Sequence, residues 1–190
     1  MKRRLGVLIF TGMLAWLAAA CGGGGGGGPT APPAPPPPPP EPVAFSAVGT
    51  PGGMTVHLTK ASGTATSVLR LEVRASEFGG LYGLGFDLVY PANLLDYRGG
   101  SQVEGDFLSG DGSRTEIFAR ERTDGSIIVG LSRVGDVGGV DGSGLLVTLD
   151  FNVVSNGSGS FSYVANGAFD GGGDRLEETV WQAGDLQVNL

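Results

Sequence analysis

The stretch "LYGLGFDLVYPANLLDY", Leu81 to Tyr97, alternates strictly until a proline interrupts it. Tyr82, Leu84, Phe86, Leu88 and Tyr90 fall on one side, opposite Gly83, Gly85, Asp87 and Val89. A period of two is the spacing of a strand with one face buried. Pro91 can then open a short helical turn, with Leu94 and Leu95 pinning the connection to a core.

The same period recurs on both sides of this stretch. In "SVLRLEVRA", Ser67 to Ala75, Leu69, Leu71, Val73 and Ala75 share a face against Arg70, Glu72 and Arg74. In "GLLVTLDFNVV", Gly144 to Val154, Leu145, Val147, Leu149, Phe151 and Val153 alternate with Leu146, Thr148, Asp150, Asn152 and Val154. Further strands are expected at Met54–Thr59, Arg114–Arg122, Ser126–Val134, Ser160–Ala165 and Asp185–Leu190. Glycine-rich turns separate these runs, and no stretch carries a helical period. Eight or nine such strands predict an all-β chain folded as an antiparallel two-sheet sandwich. The foldable part, residues 43–190, spans 148 residues, enough for one domain with a full core.

Two of these stretches carry a resemblance. Tyr90, Pro91, Leu94, Leu95, Asp96 and Tyr97 reproduce the aromatic strand end, proline turn and Leu-acid step of the cohesin family. Gly142, Ser143, Gly144, Leu145, Leu149, Phe151 and Val153 reproduce a later glycine-led strand of the same family. The chain therefore resembles cohesins and their relatives among carbohydrate-binding modules, over roughly Met54 to Leu190. The resemblance implies a nine-stranded jelly roll that binds a partner through one sheet face, dockerin modules being the partners of known cohesins. A fold does not give a function by itself.

Upstream, Lys2, Arg3 and Arg4 precede an apolar run from Leu5 to Ala20 that is too short to cross a bilayer comfortably as a helix. This is the pattern of an exported chain's signal peptide, residues 1–20. Its ending, "LAAAC", resembles the lipobox of bacterial lipoproteins, which implies lipid on Cys21. The alternative is ordinary cleavage after Ala20, leaving a stray thiol. Gly22 after the cysteine, rather than an aspartate, implies sorting to the outer membrane of a double-membrane bacterium. Residues 21–42 then form a tether. Seven glycines, Gly22 to Gly28, give a flexible coil of roughly 15 Å reach. The proline-dominated run from Pro29 to Pro42 adds a stiffer spacer of roughly 40 Å.

Charge and motif content narrow the function. Without Lys2, Arg3 and Arg4, the twelve basic residues become nine against nineteen acidic ones, a formal charge of −10. That balance disfavours nucleic acid and electrostatic adsorption to anionic lipid. The single histidine, His57, lies opposite Met54, Val56 and Leu58 and is expected on the solvent side. No nucleophile elbow, zinc-binding pair or phosphate loop is present. Glu177–Glu178 and Asp170 with Asp174 are the remaining acid pairs, and both lie in polar or glycine-rich loops. Asp111, Asp170 and Asp174 could offer oxygen ligands to calcium, but their spacing is not that of a calcium loop, so solvated turns are expected. The chain reads as non-catalytic, with no cofactor and no metal.

Binding then falls to a strand face. With Ile127, Val129 and Leu131 inward, Ile128, Gly130 and Ser132 point outward. The phase of Arg114–Arg122 is ambiguous, and placing Ile117 and Ala119 inward exposes Phe118 and Arg120. Gly85, Asp87, Phe118, Arg120, Ile128, Gly130 and Ser132 are thus the expected partner-binding face, a mixed patch of the kind found at protein interfaces. A protein partner, including a dockerin-like one, is favoured over polysaccharide, because no platform of planar aromatics is visible on the strands.

Overall fold

The computed structural model describes residue 39 and residues 41–63, 65–123 and 125–190, and in it the alternating stretches are strands. The expected signal peptide, Cys21 and nearly all of the tether lie outside the described residues.

The first half contains β1 (Val43–Ala47), β2 (Thr55–Lys60), β3 (Val68–Leu81), β4 (Gly83–Val89), β5 (Leu95–Tyr97) and β6 (Val103–Glu104). The second half contains β7 (Thr115–Glu121), β8 (Ser126–Arg133), β9 (Val140–Val153), β10 (Gly157–Ser160), β11 (Ser162–Phe169), β12 (Val180–Gln182) and β13 (Gly184–Val188). One sheet has the order β12-β2-β3-β9-β5, with β6 also on β9; a second has the order β11-β4-β8-β7; a third, small sheet has the order β1-β13-β10. All pairs are antiparallel except β12 on β2, which is parallel. This is an all-β jelly roll.

Single residues make the corners. Tyr82 alone separates β3 from β4, Phe161 separates β10 from β11, and Ala183 separates β12 from β13. At each corner one continuous run leaves one sheet and enters another, as strands do where sandwiches turn. Near the first corner β3 carries two register shifts and residues of positive φ at Glu77 and Gly80, which bend the strand out of its sheet.

The inward residues of all three sheets join in one core. Leu69, Leu71 and Val73 of β3 face Leu84, Phe86 and Leu88 of β4, all buried. Aromatic rings tie the sheets together: Phe151 packs on Tyr90, Tyr97 and Phe161, and Phe161 packs on Phe45. A second cluster joins Phe86, Tyr163 and Trp181 with centroids 5.1–5.7 Å apart. The Pro91 connection is a hydrogen-bonded turn, with Leu94 and Leu95 donating to the Pro91 carbonyl and burying their side chains as expected.

Besides the small third sheet and the parallel β12–β2 pair, three details differ from the antiparallel two-sheet reading. His57 is buried, not solvent-facing. Its cross-strand neighbours are Arg74 and Gln182, and the loop before β2 lies against Gln182, whose Nε2 donates to the Thr50 carbonyl. Along β9 the alternation breaks at Leu146, which is buried alongside Val147. A bulge causes this: Val73 pairs with Val147 but Arg74 with Leu145, so Leu146 is the extra residue. Asp150, on the outward phase of β9, is also buried, where it accepts two 2.7 Å hydrogen bonds from Arg70.

Candidate functional site

The outer face of the β11-β4-β8-β7 sheet brings together every residue expected to bind a partner. The β4–β8 register is continuous, pairing Gly83 with Ser132, Gly85 with Gly130 and Asp87 with Ile128. Strand β7 then sets Glu116 beside Ser132, Phe118 beside Gly130 and Arg120 beside Ile128. Ile117 and Ala119 are the inward pair, which resolves the phase of β7 and leaves Phe118 54% exposed.

One row across this sheet defines the surface: Gly167, Gly85, Gly130, Phe118, one residue from each strand. Gly85 and Gly130 make the floor of a trough and Phe118 one wall, while the Phe169 ring lies over Gly167. Phe169 of β11 forms the opposite wall, and Gly171, Gly172 and Gly173 close one end. The groove holds about 820 Å³.

Does the fold itself require these glycines? A Cβ built on Gly130 would meet nothing within 4 Å, and one on Gly85 only the Val129 carbonyl oxygen at 3.7 Å. Neither position has positive φ, and no bulge interrupts β4–β8. Glycine weakens a strand interior, so at these two sites it costs stability without serving the packing. Gly83 is different, since a Cβ there would lie 2.9 Å from Ser132 Oγ.

The rest of the face is lightly charged. Asp87 forms an ion pair with Arg122 at 3.5 Å, and its side chain is largely covered. Arg120 is exposed and has no ion-pair partner among the described residues. Val164 adds an apolar group beside Asp87 on β11. Val164, Gly167 and Phe169 were not anticipated in the sequence, because alternation along β11 is broken. Ala165 has φ 48°, and the register with β4 jumps between Val164 and Gly167.

Of the carboxylates that could serve as acids or calcium ligands, Asp111 and Asp170 are tied into local contacts. Asp111 binds the buried Arg133 guanidinium at 2.6 Å, which, with the Ser113 amide, holds its carboxyl far below the usual range. Asp170 accepts the amides of Gly172 and Asp174, each at 2.9 Å, closing its own loop. Glu177 and Glu178 are exposed, with Arg175 3.4 Å from Glu177. Among the described residues no group of three or more His, Cys, Asp or Glu could hold a metal ion. Tyr90 donates to Glu121, and burial, followed by that bond, pushes its phenol well above the ordinary value.

Compared by sequence, the chain matches no family model and no curated protein. Compared by structure, it is similar to the second type II cohesin module of the adaptor ScaA scaffoldin of Acetivibrio cellulolyticus. That match has a TM-score of 0.59 at 11% identity, covering 73% of this chain and 91% of the other. A type II cohesin of Bacteroides cellulosolvens also gives 0.59, at 10% identity, over 73% of this chain and 100% of its own. The sixth cohesin of Acetivibrio cellulolyticus scaffoldin B, solved in complex with a mutant Cel5 dockerin, gives 0.56 at 19% identity, over 73% and 99%. The chain has the cohesin fold.

Proposed function

We propose that this chain is a non-catalytic protein-binding module, exported and held at the cell envelope by lipid on Cys21, with the β11-β4-β8-β7 face as its receptor surface. The observation that carries the reading is the glycine row. Gly85 and Gly130 are not required by packing, yet they open a trough between exposed phenylalanines, where a partner's helix or strand can approach the backbone closely. Cohesins of the same fold have been solved in complex with dockerins. A dockerin-like segment is accordingly the partner we put first. The formal charge of the chain argues against nucleic acid. The tether of glycine and proline would lift the domain away from its anchor.

The test is titration calorimetry of the purified chain against a panel of dockerin modules, with sedimentation onto insoluble polysaccharide run in parallel. Gly130→Trp projects into the trough from a Cβ position with no atom within 4 Å, and Ile128→Asp places a charge at its border. Both variants should melt within a few degrees of the parent and lose a dockerin partner by about 2 kcal/mol or more. Dockerin binding unaffected by both variants would remove this face as the interface. Polysaccharide binding lost on Phe118→Ala would instead make the groove a sugar site.

A further inference from the structure

Strand β7 ends its sheet, and its edge complements itself. Among the described residues β7 pairs with β8 alone. Which backbone groups face outward follows from two bonds. The Val134 amide donates to the Arg114 carbonyl, and the Arg122 amide donates to the Ser126 carbonyl. Even-numbered positions of β7 therefore spend their N–H and C=O groups on β8, because antiparallel ladders alternate. Thr115, Ile117, Ala119 and Glu121 present theirs to the open edge, and none of these is a proline.

We infer that two copies of the chain pair antiparallel through β7, about a two-fold axis at Phe118. That register pairs Ile117 with Ala119 of the second copy, and Thr115 with Glu121, each pair exchanging both backbone bonds. Phe118 meets Phe118 of the second copy in a non-hydrogen-bonded pair, where side chains come closest. In the same register Glu116 faces Arg120 of the second copy, and Arg120 faces its Glu116. Arg120, without an ion-pair partner among the described residues, gains one. An isologous contact repeats every complementary pair twice. Arg114 and Arg122 would face each other just outside these pairs; Arg122 is held by Asp87 of its own chain, and Glu116, which already binds Arg114, would be shared between Arg114 and the second copy's Arg120. Exposed edge strands commonly carry charged side chains or prolines that discourage a neighbour; the charges of this one, Glu116 and Arg120, stand at positions that exchange under a two-fold axis. Pairing would join two four-stranded sheets into one continuous outer face. The inference rests on the open edge of the sheet rather than on the floor of the trough, though it shares Phe118 and Glu116 with the groove's lining.

The test uses the full chain in detergent, with its mass measured by light scattering over a dilution series. The parent and the trough variant Gly130→Trp should both dimerise. Glu116→Arg or Arg120→Glu alone should weaken association about tenfold or more, and the double reversal should restore it. Phe118→Cys should cross-link between copies on oxidation, and adding Glu116→Arg should suppress that cross-link. A monomeric parent overturns the proposal. So does a dimer indifferent to the single reversals, which would owe its mass to the micelle, or a double reversal that stays monomeric.

Discussion

His57 is the only histidine in the chain, and the fold buries it on a strand whose sequence reads as half exposed. Burial is the main cause of its lowered pKa, and Arg74 beside it adds to the effect. The unfolded chain takes up a proton at about the ordinary value of 6.5, while the folded chain resists it. Stability should therefore hold above about pH 7 and decline as pH falls through about 6.5 toward the lower folded value. A proton titration followed by NMR on this single imidazole should give a midpoint below that of a model peptide. The melting temperature should drop between about pH 7.5 and about pH 5.5 in the parent and less in His57→Gln. An unshifted midpoint would mean that the ring is hydrated. Nothing local in "MTVHLTK" announces this burial, because Gln182, paired with His57 from β12, comes from elsewhere in the chain.

Among the elements, β3 and β4 show their buried faces directly in the sequence. Leu69, Leu71 and Val73, like Leu84, Phe86 and Leu88, are all buried at the expected spacing. Strand β9 is legible only beyond its bulge at Leu146, where Val147, Leu149 and Phe151 are buried at the expected spacing. The short strands β1, β5, β6, β10 and β12 were not read as strands, since two to five residues carry too little alternation to register. The inward phase of β8 ends on Arg133, which is buried rather than apolar. Its guanidinium donates to the Leu108 carbonyl, to Asp111 and to Ser113 Oγ, fastening the segment between β6 and β7 to the sheet. Arg133→Ala should cost about 2–4 kcal/mol in urea denaturation, by stranding the Leu108 carbonyl and removing a packed side chain. Asp111→Ala should cost less, because that side chain is 55% exposed and water can replace it. A loss below about 0.5 kcal/mol for Arg133→Ala would show that the segment is held by Phe107 and Leu108 alone.

At the scale of the whole molecule, lipid on Cys21, as proposed, would set where the domain works. If Cys21 carries the anchor, Cys21→Ser should move the protein out of the lipid-bound membrane fraction in cell fractionation with detergent partitioning. A mutant that partitions into detergent as the parent does would place the attachment elsewhere. The sequence by itself determined the all-β class, the longer strands of the two large sheets and five residues of the proposed face, Gly85, Asp87, Ile128, Gly130 and Ser132; Phe118 and Arg120 joined them once the structure set the phase of β7. Those features depend on side-chain alternation between neighbours in the chain, which a sequence displays. Only the tertiary structure decided the parallel β12–β2 pair, the burial of His57, Asp150 and Arg133, and the groove wall supplied by Phe169. Each of these depends on a bulge, a single-residue corner or a covering loop that joins segments far apart in sequence. A one-residue shift at any such point exchanges the buried and exposed faces of everything beyond it.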